Sequence, residues 1–256
     1  MATTHDIADK VRKLLDKAED AAVTEEEAKT YSAKAAALVA KFNLDAAILR
    51  HKEGKRPEPI RLLEFEVSGQ GWHGKARAAL VYRVAEAYGA EVCTLGNKMN
   101  GAPRWVLIMA PAATLKALEL LLPSILLQAE TAGTEAARKH MAERKGMFDT
   151  AANANIERRS FFRSYLPGYG NGVAEKIAAS RQEMAEKVKG KPGELVLVTD
   201  AERTRAAFEK RFPDLKTTAA DKHNEAGAIA GRRDGRTADT GQAKVSGKGN
   251  AALNGK

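Results

Sequence analysis

A single cysteine, Cys93, stands in 256 residues, so no disulfide can form within the chain and nothing points to an oxidising compartment. Aromatic residues make up 5% of the sequence, too few for the core of a β-sandwich, and the alanine-rich remainder favours helix. The histidines His5, His51, His73, His140 and His223 are scattered and never paired at helical spacing. A zinc site needs three or four converging ligands, and "HMAER" offers one His and one Glu with no second motif. Neither a metal nor a cofactor is expected. An uninterrupted apolar run of membrane length is also missing, because "LKALELLLPSILLQA" is broken by Lys116, Glu119 and Pro123. The opening "MATTHDIADKVRKLL" lacks the apolar core of a signal peptide. Together these absences predict a cytoplasmic protein with no membrane partner.

Positive charge is what the chain has in excess. Lysine and arginine outnumber aspartate and glutamate 42 to 33, for a formal net charge of +9 and a pI near 9.5. Such a balance suits an acidic partner, and nucleic acid, DNA or RNA, is the expected one.

Apolar spacing divides the chain. Residues 6–20 and 24–42 each carry a helical stripe, and "VTEEEA" between them offers Thr24 as cap with Glu27 closing a capping box. Residues 1–50 are therefore an N-terminal helical hairpin domain with nearly balanced charge, and the Gly- and Pro-containing residues 51–59 are a linker. Residues 60–216 read as an α+β domain. "IRLLEFEV" is strand-like, residues 75–88 form an amphipathic helix ending at Gly89, and "AEVCTL" and "PRWVLIMA" make a hairpin around "GNKMNGA". A long helical region starts at Pro111 and is expected to kink at Pro123; another spans about residues 153–188. "GKPGELVLVTD" reads as a turn and a short buried strand, with Asp200 capping a helix that stops before Pro213. Residues 217–256 are small, polar and basic, which predicts a mobile tail. The rival reading makes part of it a helix, with Gly227, Gly231 and Gly235 spaced by four for close packing. The predicted fold class is α+β, mostly helical, with long helices packed on a small sheet.

"IADKVRKLLDKAED" and "TEEEAKTYSAKAAALVAKFNLD" make the first fifty residues resemble an uncharacterised bacterial and bacteriophage family, domain of unknown function 2786. Further on, "SFFRSYLPGYGNGVAEKI", "ELVLV", "FEKRFPDLK" and "AGAIAGRRDGRTAD" resemble the companion domain that often follows in that family. The resemblance implies an architecture and a phage or bacterial setting. It implies no activity, since the family has no established catalytic residues to carry over.

Chemistry-bearing motifs are few. "RRSFFRSYLPGYGNG" places Phe162, Tyr165, Leu166, Tyr169 and Val173 on one helical stripe, read as core with a kink at Pro167. Its arginines fall at the margin and are read as surface. Gly168, Gly170 and Gly172 loosely resemble a phosphate loop but lack a preceding strand, so close helix packing or a bend is the expected role. Cys93, inside a predicted strand, is read as a buried apolar residue. "VSGQGWHGK" brings Ser68 near His73 in a glycine-rich loop, without an orienting acid. The leading expectation is a non-catalytic nucleic-acid-binding accessory protein of phage origin. Its phosphate contacts would be Arg158, Arg159, Arg163, Lys187, Lys189, Lys191, Arg232, Arg233 and Arg236. A protein-interaction or virion-structural protein with a phage or host partner is the second reading. An enzyme acting near Ser68 and His73 is the third.

Overall fold

Apolar side chains on both faces make β3, Pro103–Pro111, a central strand. It lies between β1, Ile60–Glu66, and β2, Glu91–Gly96, in the order β1-β3-β2, and both pairings are antiparallel. The register sets Leu63 opposite Ile108 and Val92 opposite Ile108, so one face collects Val92, Val106, Ile108 and Ala110. Cys93, Leu107 and Met109 point to the other face. The structure, a computed structural model, describes residue 13 and residues 57–67, 72–96, 103–189, 192–216 and 224–238. The expected N-terminal hairpin and linker lie outside these, apart from residue 13 and residues 57–59, as do Ser68, Lys191 and residues 239–256.

The described residues form five helices besides the sheet: α1, Trp72–Ala87; α2, Ala112–Glu143; α3, Ala151–Val188; α4, Pro192–Arg211; and α5, Glu225–Thr237. The fold is α+β and mostly helical, as the sequence predicts. Helix α1 stops where expected, at Gly89 with φ +80°, a backbone conformation that glycine adopts without strain. Arg181 on α3 closes the same end, its Nη1 donating to the Ala87 carbonyl at 2.8 Å. Pro111 precedes α2, and the helix continues unbroken through Pro123. By length and composition α2 is long and apolar enough to cross a membrane, longer than its interrupted apolar run suggests. Leu115, Leu118, Leu121, Leu122 and Ile125 are buried inside the domain, as in a core helix.

Two sequence expectations fail. "ELVLVTD" is not a buried strand but part of α4, which runs through Asp200 instead of starting at it. Four apolar residues in a row fit a strand or a buried helix turn equally well, and the helix-forming residues 201–211 extend the helical solution backwards. Val198 is 50% exposed, and Asp200 accepts from Arg203 Nη1 at 2.8 Å within the helix. Phe208 of α4 covers the outer sheet face beside Leu107 and Met109.

The second correction concerns the tail. Residues 225–237 form helix α5, capped by Asn224, whose side chain accepts from the Gly227 amide at 3.0 Å. Helix α5 runs alongside α3 in the same direction, Gly227 facing Phe161, Gly231 facing Tyr165 and Gly235 facing Tyr169. A methyl group at any of the three would overlap a backbone carbonyl oxygen of α3; at Gly231 it would also lie 2.8 Å from the Tyr169 amide nitrogen. Gly168 and Gly172 do the same from α3 towards Ala228 and Arg232. Hydrophobic content alone hides such a helix, because its packing atoms are backbone. The polar reading of residues 217–256 therefore gives way to the small-residue helix for this segment.

Gly231→Ala should lower unfolding stability by at least about 2 kcal/mol, since overpacking against backbone outweighs alanine's gain of about 1 kcal/mol in helix propensity. Ile229→Ala, at a side chain 62% exposed on the same helix, should stay within about 0.5 kcal/mol of wild type. Equal urea midpoints for the two variants would contradict this packing.

Candidate phosphate-binding corner

Thr150 caps α3 by accepting from the Asn153 amide at 3.1 Å. From there the helix presents three sides. Phe161, Tyr165, Leu166, Tyr169, Val173 and Ile177 are buried, so the ring stripe belongs to the core, with Phe161 in it and Phe162 at its edge. Gly170 lets the Leu80 backbone of α1 approach, a methyl there coming within 2.9 Å of the Leu80 Cα. The glycines of "GYGNG" thus serve packing inside a continuous helix that also runs through Pro167.

The third side carries the cations. Arg159 and Arg163, one turn apart on α3, flank Phe162, whose ring meets His73 of α1 edge-on at 5.3 Å between centroids. His73 therefore sits in a helix and not, as expected, in a glycine-rich loop. Burial holds its pKa below 6.5, and Arg77 presses in the same direction; Glu130 opposes, while Arg159 and Arg163 add to the lowering. Glu130 of α2 is ion-paired with Arg77. Arg158 is exposed on the neighbouring side, its Nη2 3.5 Å from Asn155 Oδ1. Between Arg138 and Arg163, which spans the end of α2 and the start of α3, seven lysines and arginines stand against three carboxylates.

The other predicted contacts are elsewhere and are differently engaged. Arg232 and Arg236 of α5 both donate to Glu175 of α3, through Nε at 2.6 and 2.7 Å. Burial pushes the Glu175 carboxyl up, but the two arginine hydrogen bonds outweigh it and hold it below its usual range. Arg233 pairs with Asp234 at 2.8 Å, and Asp234 in turn accepts from the buried Tyr165 hydroxyl at 2.8 Å. Lys189, at the end of α3, lies 3.7 Å from Glu186. Lys187 is on the last turn of α3, and its side chain is outside the described set. The structure thus sets His73 against Phe162, beside Arg159 and Arg163 in the chain, and ties Arg232 and Arg236 of α5 to α3.

Sequence reasoning missed a polar cluster at the start of α5. His140 of α2, 9% exposed and stacked on Phe161 at 4.3 Å, donates from Nε2 to Glu157 Oε1 at 2.8 Å. Glu157 also accepts from Asn224 Nδ2 at 3.1 Å, and the Asn224 amide donates to Ser164 Oγ at 2.7 Å. The His140 hydrogen bond is the main cause holding the Glu157 carboxyl low. Asn224 before Glu225 is a legible helix-cap signal, but nothing in the sequence links it to residues 140 and 157. Among the described residues no group of three or more His, Cys, Asp or Glu is placed to hold a metal. Cys93 is buried, and burial raises its thiol pKa.

Residues 6–46 match the model of a family described as a protein of unknown function, DUF2786. That match supports the uncharacterised family for the N-terminal segment and ends before the α+β domain. No curated protein and no solved structure matches the chain.

The depressed Glu157 pKa makes one stability term acid-sensitive. It is fully present above the unfolded carboxylate pKa and is lost as pH falls through the lower, folded value. Glu157→Ala should therefore be less stable than wild type near neutral pH, with the gap narrowing below about pH 4. A gap that stays constant into acid would show that the carboxylate charge contributes nothing.

Proposed function

We propose that the protein is a non-catalytic nucleic-acid-binding accessory protein, of phage or bacterial setting and acting in the cytoplasm. Its phosphate contacts are led by Arg158, Arg159 and Arg163 on the first half of α3. The observation that carries this reading is the run of three arginines on the first half of α3, beside the point where Phe162 packs against His73 of α1. Guanidinium groups on a protein surface attract phosphate and contribute affinity without sequence information. Phe161, Tyr165 and Tyr169 of the same segment are buried and Phe162 is half-buried against His73, so base stacking on these rings is not part of the reading. Arg232, Arg233 and Arg236 are secondary candidates, because a phosphate would have to compete with Glu175 and Asp234 for them.

Fluorescence anisotropy with labelled duplex DNA across a salt series tests this. Each lost phosphate contact flattens the log–log salt slope by about 0.9 on duplex DNA. Replacing Arg158, Arg159 and Arg163 by alanine should flatten it by roughly two to three units, similarly for unrelated sequences. Replacing Arg232, Arg233 and Arg236 should change the slope less and lower folding stability instead. An unaltered slope in the α3 triple variant, or salt-tolerant capture of a protein partner with no DNA binding, would overturn the proposal.

A further inference from the structure

Helix α2 has an outward face as well as a core face. Of the apolar 18-residue stretch that makes it long and apolar enough to cross a membrane, only 39% is buried. Seven-residue spacing sets Ala113, Leu120 and Leu127 in one line along the helix, with Lys116 and Pro123 between them. Leu127 is 62% exposed, Lys116 and Pro123 are exposed, and Leu120 is half-buried. The chain enters the domain at the head of this line. The Ala113 amide donates to Glu58 Oε2 at 3.2 Å, and the Ala112 amide donates to the Pro59 carbonyl at 3.2 Å. Arg203 of α4 holds the same segment, its Nη2 donating to the Glu58 carbonyl at 2.7 Å. Residues 58 and 59 are thereby fixed against the first turn of α2, and the preceding chain starts from that point.

We propose that residues 6–46, the segment matched by the DUF2786 family model, pack on the outward face of α2 through Leu120, Pro123 and Leu127. Apart from Lys13, these residues lie outside the described set. Their length is one reason for this occupant. At about forty residues a chain ordinarily needs a disulfide, a metal or a second surface to complete its core. Residues 6–46 contain neither cysteine nor histidine, so a disulfide and a zinc site of the usual ligands are both closed to them. A second surface is what remains, and the face of α2 is an exposed apolar one beside the point of entry. Reach is the other reason. Residues 46 and 57 are eleven positions apart, a span of at most about 40 Å. Ala113 and Leu127 are separated by only about 21 Å of helix, so the whole line lies within the tether. A segment of the same chain also meets this face at an effective concentration that a free protein or a second copy does not reach.

A photo-reactive benzophenone side chain at position 127 of the full chain tests the contact directly. Irradiation should give adducts that map to residues 6–46 and run with the monomer on a denaturing gel. Adducts only between copies, adducts only to lipid in samples with phosphatidylglycerol vesicles, or none to residues 6–46 would overturn the proposal. Amide exchange in the full chain gives a second reading. In Leu127→Asp, residues 6–46 should exchange at least about tenfold faster than in wild type, while Phe161, Tyr165 and Tyr169 keep their protection. Unchanged exchange of residues 6–46 in that folded variant would equally contradict docking on α2.

Discussion

Backbone contact between α3 and α5 is the constraint on which the rest of this domain depends. Three glycines of α5 and two of α3 remove the side chains that would otherwise hold the helices apart. At that separation, contacts between Cα hydrogens and carbonyl oxygens, and dispersion between backbones, take over from side-chain burial. The approach also brings polar partners into range. Tyr165 reaches Asp234, Asn224 reaches Ser164 and Glu157, and Arg232 and Arg236 reach Glu175. With α5 in place, Phe161, Tyr165 and Tyr169 are covered on the side away from α1, and α3 becomes the centre of the core.

Once α3 is fixed in this way, its remaining free side determines the surface. Phe161, Tyr165 and Tyr169 turn inward, and Arg159 and Arg163 stand one turn apart on either side of Phe162, which meets His73 of α1. The positive excess of the chain is thus sorted into two kinds of arginine. Arg232 and Arg236 of α5 pair with Glu175 and tie the helix to α3, while Arg158 and Arg159 at the start of α3 are exposed. Net charge alone does not make that distinction, because ion pairing across elements depends on which helices become neighbours.

Much of the architecture was legible because it rests on local signals. The β2–β3 hairpin followed from two apolar runs around a glycine-containing segment, α1 from its stripe and Gly89, and the inward Tyr165 and Tyr169 of α3 from helical periodicity, which placed Phe162 where the structure buries Phe161. What escaped notice lacked a local signal. "LVLV" fits two periodicities, and only the helix formers after it decide between them. Helix α5 has glycine where a core helix has leucine, so its composition is that of a tail. The four-residue glycine spacing was visible, but its meaning required the matching surface of α3. The arginine-bearing side of α3 was half legible: the arginines were named from charge, whereas the contact of Phe162 with His73 is a product of the α1–α3 packing.

Amide hydrogen exchange across Glu225–Thr237 tests the central claim most directly, because exchange reports the free energy of opening segment by segment. If α5 is part of the core, its amides should exchange as slowly as those of Phe161, Tyr165 and Tyr169 and through the same cooperative opening. Exchange of this segment at the rate of an unstructured chain, with α3 still protected, would contradict the account.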